Sequence, residues 1–141
     1  MDLHLFRYDR IRGEERLHDV EDPRLVVRLA ESIRQKGWNG PPLVMWGPTS
    51  YGNTLMLTGV HRMAALDLLD EQDPEGIPEK IPVAVVDQRE LTDTVADRLA
   101  EKYGIYVEYG LSSLDSDAWS DVLGEMGYQE EAKLVRAEGW H

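Results

Sequence analysis

A short apolar segment, a glycine and an amphipathic segment follow one another directly near the middle of this chain. Residues 54–58, Thr-Leu-Met-Leu-Thr, have the composition of a buried β-strand, and residues 61–69 place alanine and leucine at helical spacing. Gly59 lies between them, and glycine lets the backbone turn sharply because it has no Cβ. The pattern therefore predicts a strand that passes straight into a helix at Gly59.

The same unit has the chemistry of an anion site. The first N–H groups of a helix have no intrahelical acceptor, and the helix dipole makes that end positive. His61 and Arg62 add side-chain donors, and arginine can hold two phosphate oxygens at once. Residues Thr58, Gly59, Val60, His61 and Arg62 are therefore predicted to form a phosphate-binding cradle. The alternative is structural: His61 caps the helix and Arg62 forms a salt bridge.

The remaining pattern predicts a mixed α/β (α+β) fold, with a small mixed sheet flanked by helices. Asp22 and Pro23 are typical of a helix start, and Gly37 of its end. The segment from Gly47 to Asn53 is predicted to be a hairpin-like connection. Further strands are predicted over residues 2–8, 43–46, 81–86 and 105–109, and further helices over residues 23–36, 92–103, 115–126 and 129–137. We expect residues 1–90 to form the nucleotide-binding domain and residues 91–141 a helical extension packed on it.

Composition narrows the classes of partner. The chain has a net charge of −12 and no cysteine, which excludes disulfides, thiolate metal ligands and cysteine nucleophiles. Nucleic-acid binders need a basic surface that displaces counterions, so bulk DNA binding is not expected. No apolar run approaches the roughly 18 residues of a membrane span. We therefore expect a cytoplasmic protein whose partners are a nucleotide and a protein or second copy, not a membrane.

Six short motifs follow one another along the chain: Asp22-Pro23, Ser32-Ile33-Arg34, Pro41-Pro42, Gly59-Val60-His61-Arg62, Ala64-Ala65 and Ile81-Pro82. In their order and spacing these motifs resemble the ParB/sulfiredoxin superfamily. The resemblance covers roughly Leu3 to Asp87, well over half of the chain, and includes the sulfiredoxin-like sequence Gly-x-His-Arg-x-x-Ala. Free serine kinases of the superfamily carry a similar sequence.

The resemblance implies a nucleotide site. In the family the helix-opening His and Arg hold nucleotide phosphates, which carries over to His61 and Arg62. Polar residues of the preceding long helix line the site, which points to Arg28 and Ser32, one turn apart. The implied ligand is a nucleoside triphosphate, ATP or CTP, with Mg²⁺. Val60 stands where sulfiredoxin has its catalytic cysteine, so sulfinic acid repair is excluded. The chain is also too short to hold the DNA-binding and dimerisation domains of a partitioning ParB.

Two carboxylates precede the long helix. Glu21 and Asp22 are candidates for a general base, or for holding Mg²⁺ near a phosphate. The alternative is that Asp22 caps the helix and its neighbours are solvated. No His-Glu-x-x-His or similar spacing occurs, so no zinc site is expected. Trp38 is predicted either to stack on a nucleobase or to fix its turn against the core.

Three functions follow from these observations. The first is a nucleotide-binding domain that hydrolyses, or is switched by, a nucleoside triphosphate. The second is a small-molecule phosphotransferase that resembles the free serine kinases and uses a base near Glu21. The third is a non-enzymatic ParB-like adaptor or regulator that binds a protein or nucleic-acid partner.

Overall fold

The computed structural model describes residues 2–47, 54–87, 97, 100–102 and 114–138. The strands are β1 (Asp2–Phe6), β2 (Glu15–Arg16), β3 (Leu43–Trp46), β4 (Leu55–Met56) and β5 (Ile81–Val86). The helices are α1 (Tyr8–Ile11), α2 (Pro23–Lys36), α3 (Val60–Gln72), α4 (Ser116–Glu125) and α5 (Gln129–Glu138), with a 3₁₀ turn at Pro74–Gly76.

The five strands form one mixed sheet in the order β1-β5-β3-β4-β2. The β1–β5 and β3–β4 pairs are antiparallel, whereas the β3–β5 and β2–β4 pairs are parallel. The mixed α/β class and the mixed sheet predicted from the sequence are therefore confirmed. Strand β2 lies in the charged segment that precedes helix α2. Its two residues pair in parallel with β4. Because the paired residues are far apart in the chain, no local sequence pattern predicts this contact.

Alternate side chains of the sheet belong to two separate cores. On β3, Leu43 and Met45 pack in a cluster with α2 and α3, whereas Val44 and Trp46 pack in a cluster with α4 and α5. This is the period-2 alternation of a strand that is buried on both faces. Helices therefore cover both sides of the central strands.

Helix α2 begins and ends where its sequence signals predict. The Asp22 side chain accepts hydrogen bonds from the backbone N–H groups of Arg24 and Leu25, and Pro23 is the first helical residue. The backbone of Gly37 ends the helix with a φ of 74°. The predicted strand over residues 105–109, most of the predicted helix over 92–103 and the connection over 48–53 lie outside the described residues. No helix in the described part of the chain is long and apolar enough to cross a membrane.

A polar cluster attaches the N-terminal segment to helix α3. The Tyr8 hydroxyl donates a hydrogen bond to Oδ1 of Asp67, and Nη1 of Arg16 donates to Oδ2 of the same carboxylate at 2.7 Å. Nη2 of Arg16 also donates to the carbonyl oxygen of Arg12 at 3.3 Å. The Asp67 carboxylate thus joins α1, β2 and α3.

The stability of the protein at alkaline pH depends on this cluster of Tyr8, Arg16 and Asp67. Burial, and then the hydrogen bond and charge of Asp67, raise the pKa of Tyr8 well above its ordinary value of 10.0. The folded state holds the proton of Tyr8 more tightly than the unfolded state does. The stabilisation that comes from protonated Tyr8 is therefore present below the ordinary pKa of 10.0 and is lost as the pH rises above it. We expect the unfolding free energy to fall less between about pH 8 and about pH 11 in Tyr8→Phe than in the unmodified protein, measured by urea denaturation. Equal losses in both proteins would contradict the assignment.

Candidate functional site

Gly59 makes the predicted turn from β4 into α3. Its φ of 76° and ψ of 30° place it in the left-handed region, which glycine adopts readily. A Cβ at this position would lie 2.2 Å from Cδ2 of Leu43. The space into which a side chain at position 59 would point is thus filled by a core leucine. Gly59 is required here for backbone conformation and close packing.

The side chains on either side of Gly59 point into the protein. Oγ1 of Thr58 accepts a hydrogen bond from the backbone N–H of Val44 at 2.9 Å, which fixes the end of β4 to β3. Val60 is buried among the core residues. Any contact that Thr58, Gly59 and Val60 make with a ligand would therefore come from their main chain.

His61 joins the beginnings of the two long helices. Its side chain is buried, with 1% of its surface exposed. Nε2 accepts hydrogen bonds from the backbone N–H groups of Glu21 at 3.2 Å and Asp22 at 3.0 Å. Two donors aimed at one nitrogen require a lone pair there, so the proton of the neutral ring lies on Nδ1. Nε2 of His61 thus holds the segment before α2 against the start of α3.

The two candidate carboxylates have different surroundings. Oδ1 of Asp22 accepts from the backbone nitrogens of Arg24 and Leu25 at 3.1 and 3.3 Å, the capping geometry named as the alternative to catalysis. The side chain of Glu21 is exposed beside this cap. Of the two residues, Glu21 therefore has the carboxylate that is not committed to the helix cap.

Arg62 lies half-buried against the Trp38 turn. Its guanidinium carbon is 5.7 Å from the centre of the Trp38 ring, within the range of a cation–π contact. A Cβ on Gly40 would lie 3.0 Å from Nη2 of Arg62, so the absence of a side chain at Gly40 makes room for the guanidinium. Nε1 of Trp38 donates to the carbonyl oxygen of Pro41 at 3.2 Å, which supports the interpretation that Trp38 fixes its own turn.

The Trp38–Arg62 contact and the role of Gly40 were not predicted from the sequence. Their only local signal is a small residue two positions after a tryptophan in a Gly/Pro-rich turn. Such a turn does not indicate which arginine will pack on it.

The two predicted nucleotide residues of helix α2 lie one turn apart. Arg28 is exposed and Ser32 is half-buried. Helix α2 packs against α3, and the His61 hydrogen bonds place the start of α2 beside the start of α3. Within the residues that the structure describes, no group of three or more His, Asp or Glu side chains is arranged to hold a metal ion.

Comparisons with known proteins give a similarity to solved structures. No family model and no curated protein matches the sequence. Among solved structures, the chain is similar to the C-terminally truncated chromosome-partitioning protein ParB from Caulobacter crescentus, complexed with CTP-gamma-S. The two are 15% identical, the match covers 96% of this chain and 72% of that chain, and the TM-score is 0.45.

Proposed function

We propose that this protein binds a nucleoside triphosphate, ATP or CTP, where helices α2 and α3 begin. The observation that carries the proposal is the junction made by His61, whose Nε2 lies 3.2 and 3.0 Å from the backbone nitrogens that precede α2. The beginnings of two helices, of 14 and 13 residues, meet at this ring. The start of α3 has no side-chain cap and contributes the positive end of a helix dipole, which favours a bound anion, whereas the start of α2 is already capped by Asp22.

Cationic and donor groups lie at this junction in a chain that is acidic overall. The protein carries a net charge of −12, so an anionic ligand is repelled by most of its surface. Arg62 follows His61 directly, Arg28 lies on the exposed side of α2, and Gly59 offers no side-chain cap to α3. Arg62 and the uncapped start of α3 thus offer cationic and N–H groups to an anion at this junction, beside the carboxylates of Glu21 and Asp22.

Each residue has a distinct role in the proposed complex. Arg62 would hold phosphate oxygens through its guanidinium, and Trp38 keeps that group in place by stacking. Arg28 and Ser32 would extend the contacts along α2, and the main chain of residues 58–61 would line the start of α3. Mg²⁺ would enter with the triphosphate, since phosphate oxygens and water supply most of its ligands in such sites.

Loss of the Arg62 guanidinium tests the site. We expect Arg62→Ala to weaken nucleotide binding about 10- to 100-fold, because a hydrogen bond to a charged group contributes about 1.5–3 kcal/mol. Isothermal titration calorimetry with ATP, CTP, GTP and ADP, each with and without Mg²⁺, measures the affinity directly. A thermal-shift titration provides a second readout, because a ligand that binds only the folded state raises the Tm.

A control variant, Lys133→Ala, shows whether the effect of Arg62→Ala comes merely from the loss of one positive charge. Lys133 is exposed on α5, and its ammonium group pairs only weakly with Glu130, at 3.3 Å. We expect Lys133→Ala to bind nucleotide as the unmodified protein does. Equal binding by Arg62→Ala and the unmodified protein would place the site elsewhere, and no binding of any nucleotide would contradict the proposed function.

The exposed Glu21 carboxylate is the proposed general base. It would accept the proton from the hydroxyl that attacks the γ-phosphorus, as the nucleoside diphosphate leaves. If water supplies that hydroxyl, the product is inorganic phosphate; if an alcohol supplies it, the product is a phosphate ester. Glu21→Gln should lower turnover while leaving nucleotide affinity unchanged. Product analysis with and without hydroxyl acceptors distinguishes hydrolysis from phosphotransfer.

A further inference from the structure

Strand β1 forms one edge of the sheet. Among the described strands it pairs only with β5, in an antiparallel register that places Leu3 opposite Ala84 and Phe6 opposite Ile81. Residues 2–5 are exposed. An edge strand presents unpaired backbone N–H and C=O groups that can extend the sheet with another strand.

The exposed side chains of β1 make this edge apolar on one face. Leu3 is 64% exposed and Leu5 is 59% exposed, and the described residues include only two other large apolar side chains of this kind, Val20 and Val27. Leu3 shares its face of the sheet with Ala84, which packs in the core formed with α4 and α5. The apolar face of the sheet thus continues past that core as far as the open edge.

We propose that β1 pairs with β1 of a second copy of this chain, in an antiparallel arrangement about a twofold axis at His4. In this register Leu3 of each copy lies opposite Leu5 of the other, which buries all four leucines on one face. A twofold axis uses the same patch on both copies, so the strand must be complementary to itself. The position of its two leucines, equidistant from His4, meets that requirement.

The charged side chains on the other face of β1 are consistent with the same antiparallel register about His4. The guanidinium carbon of Arg10 lies 5.7 Å from the centre of the Phe6 ring, on the face of the sheet opposite to the leucines. Pairing about His4 places Asp2 of the second copy opposite Phe6, and therefore next to Arg10. A cleft of about 570 Å³ lined by Leu5, Phe6, Arg7, Asp9 and Arg10 leaves room at this end of the strand. The dimer gains two equivalent Asp2–Arg10 ion pairs.

The leucine pairs are tested by the oligomeric state. We expect sedimentation velocity to show a monomer–dimer equilibrium between about 10 μM and about 1 mM, since an interface of this small size is typical of weak complexes. Leu5→Lys should abolish the dimer. Val27→Lys is the matched control, because Val27 is 59% exposed like Leu5 but lies on α2, and it should leave the equilibrium unchanged.

A charge exchange tests the register. Asp2→Lys and Arg10→Glu should each weaken dimerisation, because each places like charges together twice, and the double variant should restore it. Circular dichroism and the Tm of each variant confirm that the chain is folded. A monomer throughout the concentration series, a dimer that survives Leu5→Lys, or a double variant no better than the two single ones would overturn the proposal.

Discussion

Gly59→Ala is expected to lower the free energy of unfolding by about 2 to 5 kcal/mol. About 1–2 kcal/mol comes from forcing an L-residue into the left-handed region that Gly59 occupies, with a φ of 76°. A further 1–3 kcal/mol, roughly, comes from overpacking, since the new Cβ would lie 2.2 Å from Cδ2 of Leu43. Leu43 is fully buried on the central strand β3 and has little freedom to move. Urea denaturation measures the loss.

Two further variants separate these contributions. Gly127 has a φ of 91°, and a Cβ at this position would have no neighbouring atom within 4 Å, so Gly127→Ala reports backbone strain without a clash. Its cost should be about 1–2 kcal/mol, smaller than that of Gly59→Ala. In a double-mutant cycle, Leu43→Ala should make Gly59→Ala less costly, because it removes the atom that the methyl group meets. Equal costs for Gly59→Ala and Gly127→Ala would show that Leu43 tolerates the methyl group.

The local signals in the sequence predicted the elements that position the candidate site. Asp22 and Pro23 fixed the start of α2, because a capping carboxylate and a missing N–H act within one turn. The apolar run at 43–46 predicted β3, and Gly59 marked the passage into α3. Each of these features depends on contacts between residues that are close in the chain.

The parts that were not predicted depend on distant contacts. The partners of His61 are 40 and 39 residues away, so no local pattern shows that its Nε2 accepts hydrogen bonds from the residues before α2. The same holds for Leu43, which fills the space beside Gly59. The local pattern therefore predicted the turn at Gly59, but not which atoms of the neighbouring residues are already engaged within the protein.

These contacts within the protein change the roles that are expected of the site residues. A motif of Gly, His and Arg suggested three groups that all face a phosphate. In the structure, Gly59 and His61 hold β3, α2 and α3 together, and Arg62 lies half-buried against the Trp38 turn. Substitution of Gly59 should consequently affect stability before it affects ligand affinity.

Trp119→Ala is expected to destabilise the protein by about 3–5 kcal/mol, the usual cost of removing a large aromatic side chain from a core. Trp119 is 0% exposed and lies between α4 and the sheet. Its ring centre is 4.9 Å from that of Trp46 on β3, at an angle of 58° between the planes. Such a tilted pair adds about 0.5–1.5 kcal/mol to the burial of the two rings.

The loss should come from packing and not from hydrogen bonding. Within the described part of the chain, Nε1 of Trp119 is buried and has no hydrogen-bond partner. Trp119→Phe keeps an aromatic ring and removes that unsatisfied donor, so it should cost much less than Trp119→Ala. Trp38→Ala is the matched control for the size of the side chain, because Trp38 is only half-buried, and its effect on stability should also be smaller.

The same variant tests the proposed domain organisation, in which the C-terminal helices belong to the same folded unit as the sheet. Trp119, Val122 and Val135 share one core with Val44 and Trp46, so the loss of Trp119 removes contacts from α4 and from β3 together. If α4, α5 and the sheet unfold cooperatively, circular dichroism and tryptophan fluorescence should show coincident transitions that shift together in Trp119→Ala. Two separate transitions, with only the earlier one shifted, would show that the C-terminal helices form an independent unit, and the stability of the candidate site would then not depend on Trp119.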